Sequence, residues 1–323
     1  MEDKMAKKLE TGKSLNISKR PKVLLLGNGI AQAFGKGKSW NKFLEAIKGD
    51  NDFKLGAEKY QMPMPLKATM LTGNSAQSKI KEFCTENQDW GLSVNKKQKE
   101  FLQKLLVLNF DHILTTNYSC EIECASLNTP KILKKHIKEE QKFYTTENEK
   151  GSQRKFYITT FNKIQDKLNG GEHDIWHIHG DVALPDSIAF NNEYYGKLVG
   201  RYQKWITENH KNGAPEEIKS WIDAFLYGDL YILGFGMNFD ETDLWWLLEY
   251  KAKNKNFGKT VFFDKDLKNA AKEGSRSWCK RKLFEVLNVK IEDCGYQNNN
   301  YKEFYEKACD NIKREIGEKK QVK

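Results

Sequence analysis

The sequence predicts an α/β fold, a Rossmann-like parallel sheet with helices on both faces and a smaller, mostly helical insertion. Three observations predict it. Short runs that are apolar on both faces recur along the chain, the pattern of parallel strands covered by helices on each side. Segments with apolar residues at helical spacing lie between them. Each run ends on small or polar residues, as strands do where they enter loops.

Taken in order, the first run is VLLLGNG (23–29). Ser39 then caps a helix that carries Trp40, Phe43, Leu44 and Ile47 at i, i+3, i+4 and i+7, and Gly49 closes it. A second helix runs from a cap at Asn95 to Leu108 through Phe101, Leu102, Leu105 and Leu106, and leads into HILTTN (112–117). Residues 125–170 are lysine-rich, polar and weakly periodic; they read as an insertion at about 125–172. The third run, IWHIHGD (175–181), precedes a helical segment at about 186–228. LYILGFG (230–236) is followed by a helix capped by Asp240 that buries Leu244, Trp245, Leu247 and Leu248. TVFFD (260–264) and NVKIEDCG (288–295) complete the strands. The expected organisation is a flexible basic tail (1–21), one main domain (22–295), and a C-terminal helix with a basic tail (296–323).

Composition narrows the class. With 323 residues, 39% hydrophobic and 30% charged, the chain is long and apolar enough for a sizeable core. Its longest apolar runs are five or six residues, far from the roughly 20 of a membrane helix, and the N-terminus lacks the apolar stretch of a signal peptide. A cytoplasmic protein without membrane contact is expected. The six cysteines form no CxxC pair and have no histidine in zinc-finger spacing, so they read as thiols in a reducing compartment. The net charge of +10 comes from residues 1–22, 125–170 and 311–323, whose surpluses of four, five and three sum to +12, against −2 on the rest of the chain. Basic tails and a basic insertion are usually solvated surface, so nucleic acid is a weakly supported partner.

In open parallel sheets, ligands bind beyond the carboxyl ends of the strands. GNG, TTN, HGD, GFG and Asp264 therefore converge on one crevice. Glycines at 27 and 29 would let backbone amides face a pyrophosphate, or simply make a tight turn. Asp264 can accept hydrogen bonds from ribose hydroxyls or cap a turn. Asn117 can orient a ribose or a water, or serve as a turn residue. His177 and His179, two apart on a strand, share a face. His179, at the rim, suits a general base, and His177 a hydrogen-bonded core position. Metal binding would need a further ligand, and Asp181 leaves the strand beyond the turn, so no metal is expected.

The motifs LLLGNGIAQAFG (24–35) with SWNKFL after it, ILTTNYSCEIE (113–123), HIHGD (177–181) and ILGFGMNFDETDLWWLL (232–248) together resemble the sirtuins. They are more similar still to bacterial sirtuin-like proteins of anti-phage defence, whose usual activity is cleavage of NAD. The resemblance spans about residues 22–265. It implies that NAD is the substrate, that the first loop holds its phosphates, that Asn117 orients the nicotinamide ribose and the attacking water, and that His179 is the base. Gly234 and Gly236 would contact the adenosine half. The implied NAD-contacting set is Gly27, Asn28, Gly29, Ile30, Thr116, Gly180, Gly234, Phe235, Gly236, Asn238 and Asp264.

The zinc-binding cysteine quartet of many protein deacylases is missing, as is their proline- and arginine-containing loop after GNGI. Tyr118 and Ser119 follow Asn117 where an acidic residue is common two positions on, so Ser119 is left out of the chemistry. Glu121 shapes the pocket or is a solvated helix charge. The leading expectation is an NAD glycohydrolase acting as an abortive-infection effector. A homo-oligomer or a separate sensor protein would hold it in an off state. The alternatives are an NAD-dependent protein deacylase and a non-enzymatic module that binds a nucleotide or nucleic acid.

Overall fold

A computed structural model describes residues 20–34, 40–48, 62–86, 94–126, 142–145, 157–165, 172–182, 184–210, 218–265, 267–268, 272–294 and 300–318. The strands are β1 (Lys22–Leu26), β2 (His112–Thr115), β3 (Lys142–Thr145), β4 (Tyr157–Gln165), β5 (Glu172–His177), β6 (Asp229–Leu233), β7 (Thr260–Phe263) and β8 (Val289–Glu292). They form one sheet in the order β3-β4-β5-β2-β1-β6-β7-β8. The six strands from β5 to β8 are all parallel, whereas β3 and β4 pair antiparallel at the β5 edge.

Every residue of β6 and β7 is buried, as the apolar runs require of strands covered on both faces. Alternate residues feed two cores. Val23, Leu25, Leu114, Trp176 and Ile232 face α7 (Asn192–Asn209), α8 (Trp221–Tyr227), α9 (Thr242–Ala252) and α10 (Arg276–Val286). Leu24, Leu26, Ile113, Ile175 and Leu233 face α1 (Gly29–Phe34), α5 (Lys96–Leu106), α6 (Glu121–Ser126) and α11 (Tyr301–Glu318). A third cluster joins α2 (Trp40–Ile47), α3 (Met64–Thr72) and α4 (Ala76–Glu86) to Ile188 and Phe190.

The parallel sheet with helices on both faces agrees with the sequence, and α5 begins as expected, with Asn95 Oδ1 accepting from Gln98 N at 2.9 Å. Three expectations need correction. Within the insertion at 125–172, the described residues beyond α6 are strand, extending the sheet, and the small helical cluster is built by α2, α3 and α4 instead. Asp240 does not cap α9; its Oδ2 accepts from Met64 N at 2.9 Å and so caps the distant α3. Strand β5 stops at His177, where Gly180 N returns to His177 O at 3.0 Å, so the two histidines do not share a strand face. Ser39, Gly49 and most of the basic tails and insertion lie outside the described residues.

Candidate active site

The strand order reverses direction between β1 and β6, which makes their carboxyl ends the switch point of the sheet. Both ends are glycine-rich, and they meet: Gly27 N donates to Leu233 O at 3.1 Å and Gly29 N to Gly234 O at 2.7 Å. A Cβ on Gly27 would lie 2.5 Å from Phe235 Cα, so glycine is needed here for two loops to pass closely. This corrects one expectation. The Gly27 and Gly29 amides are spent between strands and do not point at a ligand.

Above this junction lies a cavity of about 780 Å³, within the usual range for ligand sites. It runs from the ends of β5 and β2 across β1 and β6 to β7. Four strand spacings of about 4.8 Å give it a length of roughly 19 Å, the scale of an extended dinucleotide. Asn28, Gly29, Thr116, Asn117 and His179 border it, as do Gly234, Phe235, Gly236, Asn238 and Asp264. Gly27, Ile30 and Gly180 are not on its wall. Ile30 is buried in the α1 core, and Gly180 (φ 91°) makes a turn against the Ser187 carbonyl. At the β5 end, Trp40, Phe43 and Tyr118 supply aromatic walls; at the β7 end, Asp264 and Lys265 supply charged groups beside the ring of Tyr301. One oxygen of Asp264 accepts from Leu267 N at 2.8 Å, so the residue both caps a turn and borders the cavity.

Asn117, Ser119, His177 and His179 at the β2–β5 end are each backed by a buried carboxylate from a helix. Asn117 Nδ2 donates to Glu121 Oε1 at 2.6 Å, and Ser119 Oγ donates to Glu121 Oε2 at 2.6 Å. Glu121 is buried, which removes the solvated-charge alternative. Burial raises its pKa above the ordinary carboxylate value, against the opposing hydrogen bonds of Ser119 and Asn117. With its amide group held, Asn117 keeps Oδ1 as the acceptor for a hydroxyl or water.

His177 is fully buried between Asn117 O (2.9 Å from Nδ1) and Glu123 Oε1 (2.7 Å from Nε2), matching the expected core role. Burial disfavours its cation most, yet the charge and hydrogen bond of Glu123, with Asp181, lift its pKa to about 9.

His179 turns the other way. Its Nε2 lies 3.0 Å from Asp243 Oδ2 on α9, and the same oxygen accepts from the Tyr202 hydroxyl at 2.9 Å. A carboxylate partner fixes the proton on Nε2 and leaves Nδ1 as the basic nitrogen. Burial opposes protonation here too, but Asp243 and then Glu241 outweigh it, so the pKa is raised above 6.5. Glu241 also borders the cavity; burial, together with Asp243 and Asp240, pushes its carboxyl up to about 7 against the opposing pull of His179. Sequence reading missed Asp243, Glu241, Tyr202 and Glu123. The one available signal was the acidic cluster at 240–243 directly after a glycine-rich strand end, which read only as a helix cap.

No protein-family model matches the chain, and no curated protein matches it.

Proposed function

We propose that the protein is an NAD glycohydrolase that releases nicotinamide and ADP-ribose. The observation that carries this reading is that Asn117 and His179, 62 positions apart in sequence, border one elongated cavity at the sheet's switch point, each held by its own buried carboxylate. In the proposed reaction the nicotinamide ribose sits at the β2–β5 end and the adenosine half reaches toward Gly236 and Asp264. A water held by Asn117 Oδ1 attacks the anomeric carbon while the bond to the pyridinium nitrogen breaks. Nicotinamide departs neutral, and the water's proton passes to His179 Nδ1, whose new positive charge Asp243 stabilises. The pyridinium is already an activated leaving group, so the site needs no separate acid. The role as an anti-phage effector, and control by other copies of the chain or by a sensor protein, are proposed on the motif resemblance.

A time course of NAD, nicotinamide and ADP-ribose tests the reading. Wild type produces both products in equal amounts, and His179→Ala and Asn117→Ala lose most turnover while remaining folded. Retained turnover in both variants refutes the site. O-acyl-ADP-ribose formed only with an acyl-lysine peptide would make the protein a deacylase.

A further inference from the structure

We propose that His179, Glu241 and Asp243 form a binding site for a divalent first-row transition-metal ion, open to the cavity on one side. One imidazole nitrogen and one oxygen from each carboxylate lie within 4.8 Å of one another, and all three residues are buried. Bonds of about 2.0–2.2 Å to a zinc-sized ion place its ligands roughly 3–3.5 Å apart. His179 Nε2 and Asp243 Oδ2 already stand 3.0 Å apart, and none of the three ligand atoms is more than 4.8 Å from another.

An independent observation points to a ligand. Asp243 Oδ1 is buried and has no hydrogen-bond partner among the described residues. An unpaired buried carboxylate oxygen is costly, and a bound cation supplies the missing partner. Glu241 is also poorly satisfied, accepting a long hydrogen bond of 3.4 Å from the Tyr195 hydroxyl. Among the described residues, neither carboxylate has a lysine or arginine in salt-bridge contact; the ion pair at this cluster is His179 with Asp243. The sequence had left metal binding without further ligands beside the histidines; Asp243 in the first turn of α9 and Glu241 just before that helix supply them from 64 and 62 positions away.

The donor set selects the ion's class. One imidazole and two carboxylates suit zinc, cobalt, manganese or iron in the divalent state. Three protein ligands with a side open to the cavity leave a position for water or an incoming ligand. Tyr202, donating to Asp243, and Tyr195, donating to Glu241, orient the carboxylates as outer partners do in built metal sites. The other cluster of ligating side chains, Cys120 with Glu123 and His177, is enclosed beneath the cavity wall, and both ring nitrogens of its histidine already have partners at 2.7 and 2.9 Å. An ion at His179 takes a nitrogen from the hydrolysis proposed above, so ion and turnover compete for one side chain, although binding itself does not depend on that reading.

The test is titration of the metal-stripped full chain with Co²⁺, followed by visible absorption, with Zn²⁺ as competitor and circular dichroism to check folding. The expected result is saturable binding of one ion per chain, no thiolate charge-transfer band, and displacement by Zn²⁺. Glu241→Gln and Asp243→Asn should each weaken binding more than about tenfold, and Tyr202→Phe about tenfold. Cys120→Ser should leave it unchanged. Absence of binding, binding indifferent to Glu241→Gln, or a thiolate band lost with Cys120→Ser would overturn the proposal. NAD turnover measured separately in chelator keeps the two readings apart: turnover without Co²⁺ binding sinks the ion site alone, and binding without turnover sinks the hydrolysis alone.

Discussion

Replacing Glu123 with Gln should destabilise the protein in a pH-dependent way. His177 Nδ1 faces the Asn117 carbonyl, which only accepts, so Nδ1 carries a proton and the 2.7 Å contact to Glu123 holds the charge of the pair. The folded pKa of about 9 lies some 2.5 units above the ordinary 6.5. At about 1.4 kcal/mol per unit, the pair contributes at most about 3.5 kcal/mol. The pKa is raised on folding, so this stability is fully present below pH 6.5 and is lost as pH rises through 9. The buried Glu241 carboxyl and the buried Lys251 ammonium, pushed up and down respectively to about 7, also titrate in this range. They are common to both proteins and cancel in the difference. Denaturant unfolding of wild type and Glu123→Gln at matched pH values should therefore show a gap of about 2–3 kcal/mol near pH 6 that narrows steadily toward pH 9 and above. A gap that stays constant with pH, or one under about 0.5 kcal/mol throughout, would refute the assignment of a charged pair.

Three further outcomes are expected. His179 acts as a base only when neutral, and Asp243 raises its pKa, so kcat/KM for NAD should climb with pH through a value above 6.5; in Asp243→Asn that limb should move to lower pH, and an unmoved limb would remove Asp243 from the mechanism. Gly29→Ala would drive a methyl into the Tyr305 hydroxyl and to within 2.7 Å of the Gly234 carbonyl oxygen, costing about 2 kcal/mol in unfolding experiments; a neutral substitution would mean that the β1 and β6 loops do not pack as described. Glu121→Ala frees the Asn117 amide to rotate and should lower kcat about tenfold or more with KM little changed, whereas an equal rise in KM alone would point to a binding role.

The parallel strands were legible because a strand covered on both faces is apolar nearly throughout, as in LYIL before a glycine-rich end and TVFF before Asp264. β3 and β4 were not, since an antiparallel extension at an edge tolerates the lysines and threonines that made residues 125–170 look like a polar insertion. The spacing of His177 and His179 predicted a shared face on the assumption that the strand continued. A turn closed by Gly180 ends it two residues early and sends one ring to α6 and the other to α9. Asn117 and His179 stood out by residue type and by position at strand ends. Their carboxylate partners did not, because Asp243 is 64 positions from His179 and Asp240–Asp243 satisfies the ordinary pattern of an acidic helix start.

The most direct test of the proposed chemistry is a crystal structure of His179→Ala with NAD bound. The nicotinamide ribose should lie at the β2–β5 end within hydrogen-bond reach of Asn117 Oδ1, with the adenosine half toward Gly236 and Asp264. NAD bound in the reverse orientation, or outside this cavity, would contradict it.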